Sequence, residues 1–401
     1  MAPAARPLLF SVLPRPPHPT RDGLAIRNYH LLRALAESFR VRSFTLLPAH
    51  LAGEPSEYPA GVEIESVPHT SRGAQQALAI GASLLSGRAY PEMAYRSRSL
   101  AELLARRVAE EKPAWVVAHS YHVGPQALAS TCPSWIDFHN LDSEIWRRVG
   151  ETSRSPLAGA FARVQSPRVA EFERRLARSA AGTSCVSARD AAFLAALAPR
   201  AEPLVVPNGV DLARFASRNA PPPGETLLFV GDLGWAPNAL GVLWLREQVW
   251  PHLKRLRPQV RGEILGRNAP AWLLRTGGPD FTFSGDVADT RPSWQAASVA
   301  VVPLLAGGGT RLKILEAAAC GVPVVSTSIG AEGLEFQEGA EILLADEAFG
   351  FASSVAKLLA DPEVASRQAR AARVRVEELY GWGEIGRRFA AELLLRSRSR
   401  A

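Results

Sequence analysis

Val299-Ala300-Val301-Val302-Pro303-Leu304-Leu305-Ala306-Gly307-Gly308-Gly309-Thr310-Arg311-Leu312-Lys313-Ile314-Leu315-Glu316 runs from a β-branched stretch through a glycine triplet into a helical pattern. A strand that ends in glycines and passes at once into a helix brings backbone N–H groups close to a ligand and adds the positive end of the helix dipole. Arg311 and Lys313 are expected in the first helical turn, where cations are normally disfavoured. Their presence implies an anion that balances them, and a diphosphate is the natural candidate. The loop is not a P-loop, because no Lys-Ser/Thr follows the last glycine. The plainer alternative is a tight turn with exposed basic residues. Glu316 adds a second requirement. It is an isolated carboxylate among Leu312, Ile314, Leu315 and Ala317–Ala319, and burial without a partner would be costly. A vicinal diol such as a ribose would satisfy it, and so would a neighbouring arginine.

Moving outward from this stretch, short apolar runs alternate with helical segments. In the second half, strands are predicted at Leu227–Val230, Val260–Leu265, Phe281–Phe283, Val299–Val302 and Val322–Ser326. Helices are predicted at Ala239–Leu256, Thr290–Ala297 and Arg311–Ala319, and a helical tail at Phe349–Arg396 breaks near Asp361-Pro362 and Gly381-Trp382-Gly383. The first half repeats the scheme, with strands at Leu8–Leu13, Val41–Leu47, Val62–Val67, Trp115–Ala118, Trp135–Phe138 and Thr183–Val186. Strands apolar on both faces and alternating with helices predict parallel sheets covered on each side. Ser217 to Gly224, with Pro221-Pro222-Pro223, is neither helix nor central strand and marks a break between halves. The expected architecture is α/β, with two doubly wound Rossmann-like domains facing across a cleft. The expected spans are 1–203, 204–380 and a C-terminal helix, 381–401, packed back on the first domain.

The whole-chain properties agree. A length of 401 residues exceeds what one core usually fills. An apolar fraction of 47% and a charged fraction of 21% exclude wholesale disorder, collagen and coiled coil. No apolar run reaches membrane-spanning length, and the residues after Met1 do not read as a signal peptide. Cys132, Cys185 and Cys320 are scattered singly, which fits neither a disulfide framework nor a thiolate metal site and suits a reducing cytoplasm. The net charge of +7 comes mostly from arginine. It favours solubility, phosphate ligands or a peripheral contact with the inner face of a membrane. Dispersed basic residues without a reader motif argue against nucleic acid.

Asn208-Gly209-Val210-Asp211, Gly231 and Glu316-Ala317-Ala318-Ala319-Cys320-Gly321-Val322-Pro323-Val324-Val325 together resemble the GT-B glycosyltransferases of the family 4 type, which are retaining and nucleotide-sugar-dependent. The resemblance is strong over Val205–Leu334 and looser over the first half. It implies that Glu316 holds the ribose of a UDP- or GDP-type donor. An earlier glutamate usually precedes this one by eight positions. Here that position is Gly308, so the backbone N–H groups of Gly307, Gly308, Gly309 and Thr310 are expected to serve the sugar instead. Many members also carry an Arg and a Lys on the loop after the first strand of the second domain. The loop Gly231–Asn238 has neither, which leaves Arg311 and Lys313 for the diphosphate. Gly231 and Arg267 are expected to border the donor and Trp235 and Asn238 to shape the cleft, with plain packing an equal reading for Trp235.

In the first domain the resemblance places Gly23 near the donor phosphates and His119 at the reaction centre, with His122 second. His122, His139 and Asn140 are expected on the acceptor side, Asp142 is expected to reach the same cleft, and His18, in a proline-rich loop, is a further candidate to touch acceptor. His69 and His252 look structural. The implied reaction moves a sugar to an acceptor hydroxyl of a carbohydrate or lipid-linked substrate in cell-surface polysaccharide or glycolipid synthesis. No cofactor is called for. Neither an Asp-x-Asp motif nor a ligand-spaced cluster suggests a metal. Alternatives are a sugar-nucleotide epimerase, a phosphorylase, a solute-binding protein or a non-catalytic sugar-binding scaffold. Arg96, Arg98, Arg106 and Arg107 form an arginine-rich stretch, either a headgroup-binding face or a solvated one.

Overall fold

The computed structural model describes residues 6–20, 22–53, 58–70, 73–153, 155–218, 222 and 224–399. Met1 to Ala5, Arg21 and most of the Asn219–Pro223 break lie outside the described residues. The chain divides into two compact units, one of residues 1–207 with 382–401 and one of residues 208–381.

The first unit holds seven strands, β1 (Leu8–Leu13), β2 (Arg40–Pro48), β3 (Val62–His69), β4 (Trp115–Ala118), β5 (Ser134–Phe138), β6 (Gly182–Cys185) and β7 (Leu204–Val205), in the order β3-β2-β1-β4-β5-β6-β7. All pairings are parallel. Side chains alternate between two cores, as a period of two requires. Phe10 and Val12 enter one with Phe44, Val116 and Ile136. Leu9 and Leu13 enter the other with Leu31, Leu35, Trp115 and Trp135. The C-terminal helix Trp382–Arg398 covers this second face through Trp382, Ile385, Phe389 and Leu393. The indole N–H of Trp115 donates to the Leu393 carbonyl (2.9 Å). Gly386 lets this helix ride against Ala34, whose Cβ lies where a side chain would begin.

The second unit holds β8 (Thr226–Val230), β9 (Arg261–Leu265), β10 (Phe281–Ser284), β11 (Val299–Val302), β12 (Val324–Ser326) and β13 (Leu343–Leu344), in the order β10-β9-β8-β11-β12-β13. These pairings are parallel too. Leu228 and Ala300 face one core, while Leu227, Phe229, Val299 and Val301 face the other. The stretch predicted as one helix over Ala239–Leu256 begins at Ala236 and passes through a π turn, Leu245–Val249, just before Pro251. A proline lacks the N–H that a regular helix would use there.

Both sheets are α/β and doubly wound, and strand order reverses beside the first strand of each: at β1/β4 in the first unit and at β8/β11 in the second. Ligands of such sheets bind at the carboxyl ends of the strands at that switch point. The loops that matter therefore follow β1 and β4, and β8 and β11.

Candidate functional site

In the second unit the loop after β11 leads into the helix Leu312–Ala319. Gly307 (φ 136°) and Gly309 (φ 70°) occupy backbone conformations that favour glycine. A Cβ on Gly307 would also lie 2.8 Å from the Arg311 guanidinium and 3.0 Å from the Trp235 ring. Arg311 departs from expectation. It is the extended cap residue before the helix rather than a member of its first turn, and it is only 5% exposed. Its Nη1 donates to the carbonyls of Gly308 and Gly309, and its guanidinium lies 6.0 Å from the Trp235 ring centre. Arg311 thus bolts the glycine loop shut on itself instead of standing out as a mobile charge. Thr310 Oγ1 accepts from Asn208 Nδ2 (2.7 Å), which gives the Asn208-Gly209 turn its task.

Lys313 points the other way. Its Nζ donates to Asn238 Oδ1 (3.0 Å) and lies 3.9 Å from the Phe229 ring centre. Gly231 makes room for it, since a Cβ there would sit 2.7 Å from Nζ. Burial, with Arg311 adding repulsion and Glu316 opposing it, pushes the Lys313 ammonium down to about 7. One turn deeper, burial pushes the Glu316 carboxyl up to about 7, against the Trp294 N–H, Lys313 and Arg214. The Trp294 indole donates to Glu316 Oε2 over a long 3.4 Å. Among the described residues Glu316 makes no ion pair, so the arginine partner allowed by the sequence is not what holds it.

The loops after β8 and β9 are joined by Asp232. Its carboxylate accepts from Arg267 Nε (3.0 Å), Asn268 Nδ2 (3.1 Å) and the Gly234 N–H (2.9 Å). Arg267 is therefore tied to Asp232 beside Gly231. Gly266 is required by contact: a Cβ would lie 2.4 Å from the Gly231 carbonyl oxygen.

In the first unit, exposed Gly23 opens the helix Gly23–Ser38, whose N-terminus is capped by Asp22. His119 follows β4 and is 0% exposed, with neither ring nitrogen hydrogen-bonded among the described residues. Burial pushes its imidazole down to about 3, so it is neutral. Ser120, in a rare positive-φ conformation (150°), contacts His122 Nδ1 through Oγ (2.6 Å). His122 Nε2 lies 3.7 Å from Asp142 Oδ2. His139 Nε2 lies 3.1 Å from Asp137 Oδ2. Asn140, the residue after His139, is half-buried. His69 stacks near Tyr95 and His252 meets Phe349 edge-on.

A buried network that no sequence motif marks lies beneath these histidines. Arg27 grips Asp137 with two bonds (2.9 and 2.8 Å) and donates to the carbonyls of Val206 (2.8 Å) and Pro207 (3.0 Å). Ser184 Oγ donates to Asp137 Oδ1 (2.7 Å). Burial opposes the Asp137 charge, but Arg27 and His139 outweigh it and hold the carboxyl well below its usual range. The available signal was an Arg inside an apolar helix stripe and an Asp inside an apolar strand.

Two of the four arginines of the arginine-rich stretch are paired: Arg98 with Glu102, and Arg107 with Glu65 and Glu110. Among the described residues no three or more His, Cys, Asp or Glu groups are placed to hold a metal, and no helix is long and apolar enough to cross a membrane.

Comparison with known proteins matches two family models in sequence order. Residues 22–209 match the glycosyl transferase 4-like domain, and residues 224–361 match the glycosyl transferases group 1. Glycogen synthase of Mycobacterium tuberculosis is 31% identical over 198 residues, 46% of each chain. A phosphatidyl-myo-inositol mannosyltransferase of Mycolicibacterium smegmatis is 29% identical over 191 residues, 45% of this chain and 48% of that one. The chain thus spans about half the length of the curated relatives it matches. Among solved structures, sucrose-phosphate synthase from Thermosynechococcus elongatus superposes with a TM-score of 0.74 at 18% identity, over 99% of this chain and 100% of that one. HepE of Anabaena, solved with UDP and glucose, superposes with a TM-score of 0.67 at 15% identity, over 96% and 99%. The chain belongs to the glycosyltransferases of the group 1 and 4-like type and has their GT-B fold.

Proposed function

We infer that the protein transfers a glycosyl group from a nucleotide-diphosphate sugar to a hydroxyl of a carbohydrate or lipid-linked acceptor, with retention, in cell-surface polysaccharide or glycolipid synthesis. The observation that carries this is Glu316: a largely desolvated carboxyl that makes no ion pair among the described residues, one turn below a glycine loop and beside Lys313. Ribose hydroxyls would give it the donors it lacks, and the N–H groups of Gly307 to Thr310 suit the diphosphate and the sugar. Lys313, whose ammonium burial pushes down to about 7, gains full charge beside a diphosphate, because a nearby anion favours the charged form. That charge then meets the leaving diphosphate in a partly desolvated place, where it is worth most in the transition state.

Arg311 acts through the loop it closes, which makes it a positioning residue. Gly231, with Arg267 tied to Asp232, forms the border for the base. Within the first unit His119 is the catalytic histidine, and His122, His139 and Asn140 are the acceptor contacts. Uridine is the base to test first, because HepE was solved with UDP and with UDP-glucose. The cytoplasmic side of a membrane, with peripheral contact, suits a lipid-linked acceptor.

Nucleotide release from UDP- and GDP-sugars by the full chain tests this. One donor should turn over, and Glu316→Ala should remove most of that turnover while leaving the circular dichroism unchanged. Near-normal turnover in the variant excludes the ribose role. Lys313→Ala should weaken UDP by about tenfold or more, as expected for loss of a charged contact, and uridine far less. Equal weakening of both ligands refutes the diphosphate assignment. His119→Ala should lower kcat more than it raises the donor KM, and an unchanged rate moves the role to His122.

A further inference from the structure

A second pocket opens in the first unit, beside the loop after β4. It has a volume of about 490 Å³ and is lined by Tyr90, Tyr95, Trp146, His122, Asp142 and Ala94 among others. That volume lies within the range of about 300–1,000 Å³ typical of small-molecule sites.

Its walls are aromatic and mutually braced. Tyr90 and Trp146 meet edge-to-face, with ring centres 6.4 Å apart, and both lean on Phe161 at 6.2 and 5.7 Å. Tyr95 lies 4.4 Å from the His122 ring. Asp142 is the polar anchor. Its Oδ2 accepts from the Tyr121 hydroxyl (2.6 Å), while Oδ1 has no hydrogen-bond partner among the described residues and the side chain keeps 20% of its exposure. Its position is fixed, because Asp142 opens the helix Asp142–Thr152 and buried Glu173 receives the N–H groups of Asp142 and Ser143.

We propose that this pocket receives a neutral pyranose ring of the acceptor, with Asp142 Oδ1 and His122 taking its hydroxyls and Tyr90, Tyr95 and Trp146 its apolar faces. The proposal rests on the glycosyltransferase function above. A pyranose has a C–H face that lies against aromatic rings and a rim of donors that a carboxylate accepts. Among the described residues no Lys or Arg lines the pocket, and Arg15, which is felt at Tyr95, is already paired with Asp22. A carboxylate without a facing cation selects against phosphorylated ligands.

Saturation-transfer NMR on the full chain tests the assignment with methyl α-D-glucopyranoside, methyl α-D-mannopyranoside, methyl β-D-galactopyranoside and myo-inositol as probes. UDP binding is followed in parallel by calorimetry. At least one pyranoside should bind. Trp146→Ala and Asp142→Asn should each weaken it by about tenfold or more, with Trp146→Phe intermediate, while UDP affinity stays within about twofold of wild type in all three. UDP binding without any pyranoside binding overturns the pocket and leaves the donor site standing. Pyranoside binding that is unchanged in both variants overturns it as well, and so does binding of myo-inositol alone. Pyranoside binding lost in the variants, in a chain that binds no nucleotide, supports the pocket and overturns the donor site.

Discussion

Glu173 shows how much a single buried group sets. It is 0% exposed and anchors the start of the helix Asp142–Thr152 through Ser143. Burial pushes its carboxyl from an ordinary 4.5 up to about 8. The folded chain therefore keeps a proton that the unfolded chain has released, and stability falls as pH rises from about 4.5 to about 8, by about 1.4 kcal/mol per pH unit. Glu173→Gln removes that slope. Its urea midpoint, relative to wild type, should improve between pH 5 and pH 8.5. A difference that is the same at both pH values would show that Glu173 is ionised throughout. At this scale the sequence revealed Glu316, because an acid in an apolar helix stands out. It hid the task of Arg311, which depends on a cap conformation that no spacing reports.

Among the elements, the tightest fit is where β8 and β9 end side by side. Gly266→Ala places a Cβ against the Gly231 carbonyl, which is backbone and cannot rotate away. Such overpacking costs about 1–3 kcal/mol. It should also loosen the loops that Asp232 joins, lowering both the melting temperature and UDP affinity. Gly285→Ala is the control, since nothing lies within 4 Å of its Cβ and a change within about 0.5 kcal/mol is expected. If both alanines behave alike, the close approach is not a constraint. Strands such as Val299–Val302 were legible because they are apolar on both faces. Two-residue β13 was not, since pairing rather than pattern creates it. The π turn near Pro251 was hidden for a similar reason: the apolar period continues through it.

At the scale of the whole molecule, the chain completes its first unit with its last helix. Trp382, Ile385, Phe389 and Leu393 are all buried there. At about 1.5–3 kcal/mol for each buried side chain, the four rival the 5–15 kcal/mol by which a domain is usually stable. A chain ending at Gly381 should lose the cooperative unfolding of its first unit while the 208–381 unit keeps its own. Amide exchange followed by mass spectrometry reads this directly, and normal protection of β1 and β4 in the truncated chain would refute it. The repeated α/β architecture was readable from the alternation of strands and helices. The glycine loop and Glu316 were readable from composition. Arg27 and Asp137 were not, because their partners lie 110 residues apart in the chain.

Calorimetric titration of the intact chain with UDP, repeated on Glu316→Ala, bears most directly on the donor site. Saturable 1:1 binding that the substitution abolishes is expected. Failure of both UDP and GDP to bind, or binding that survives the loss of the carboxylate unchanged, would contradict it.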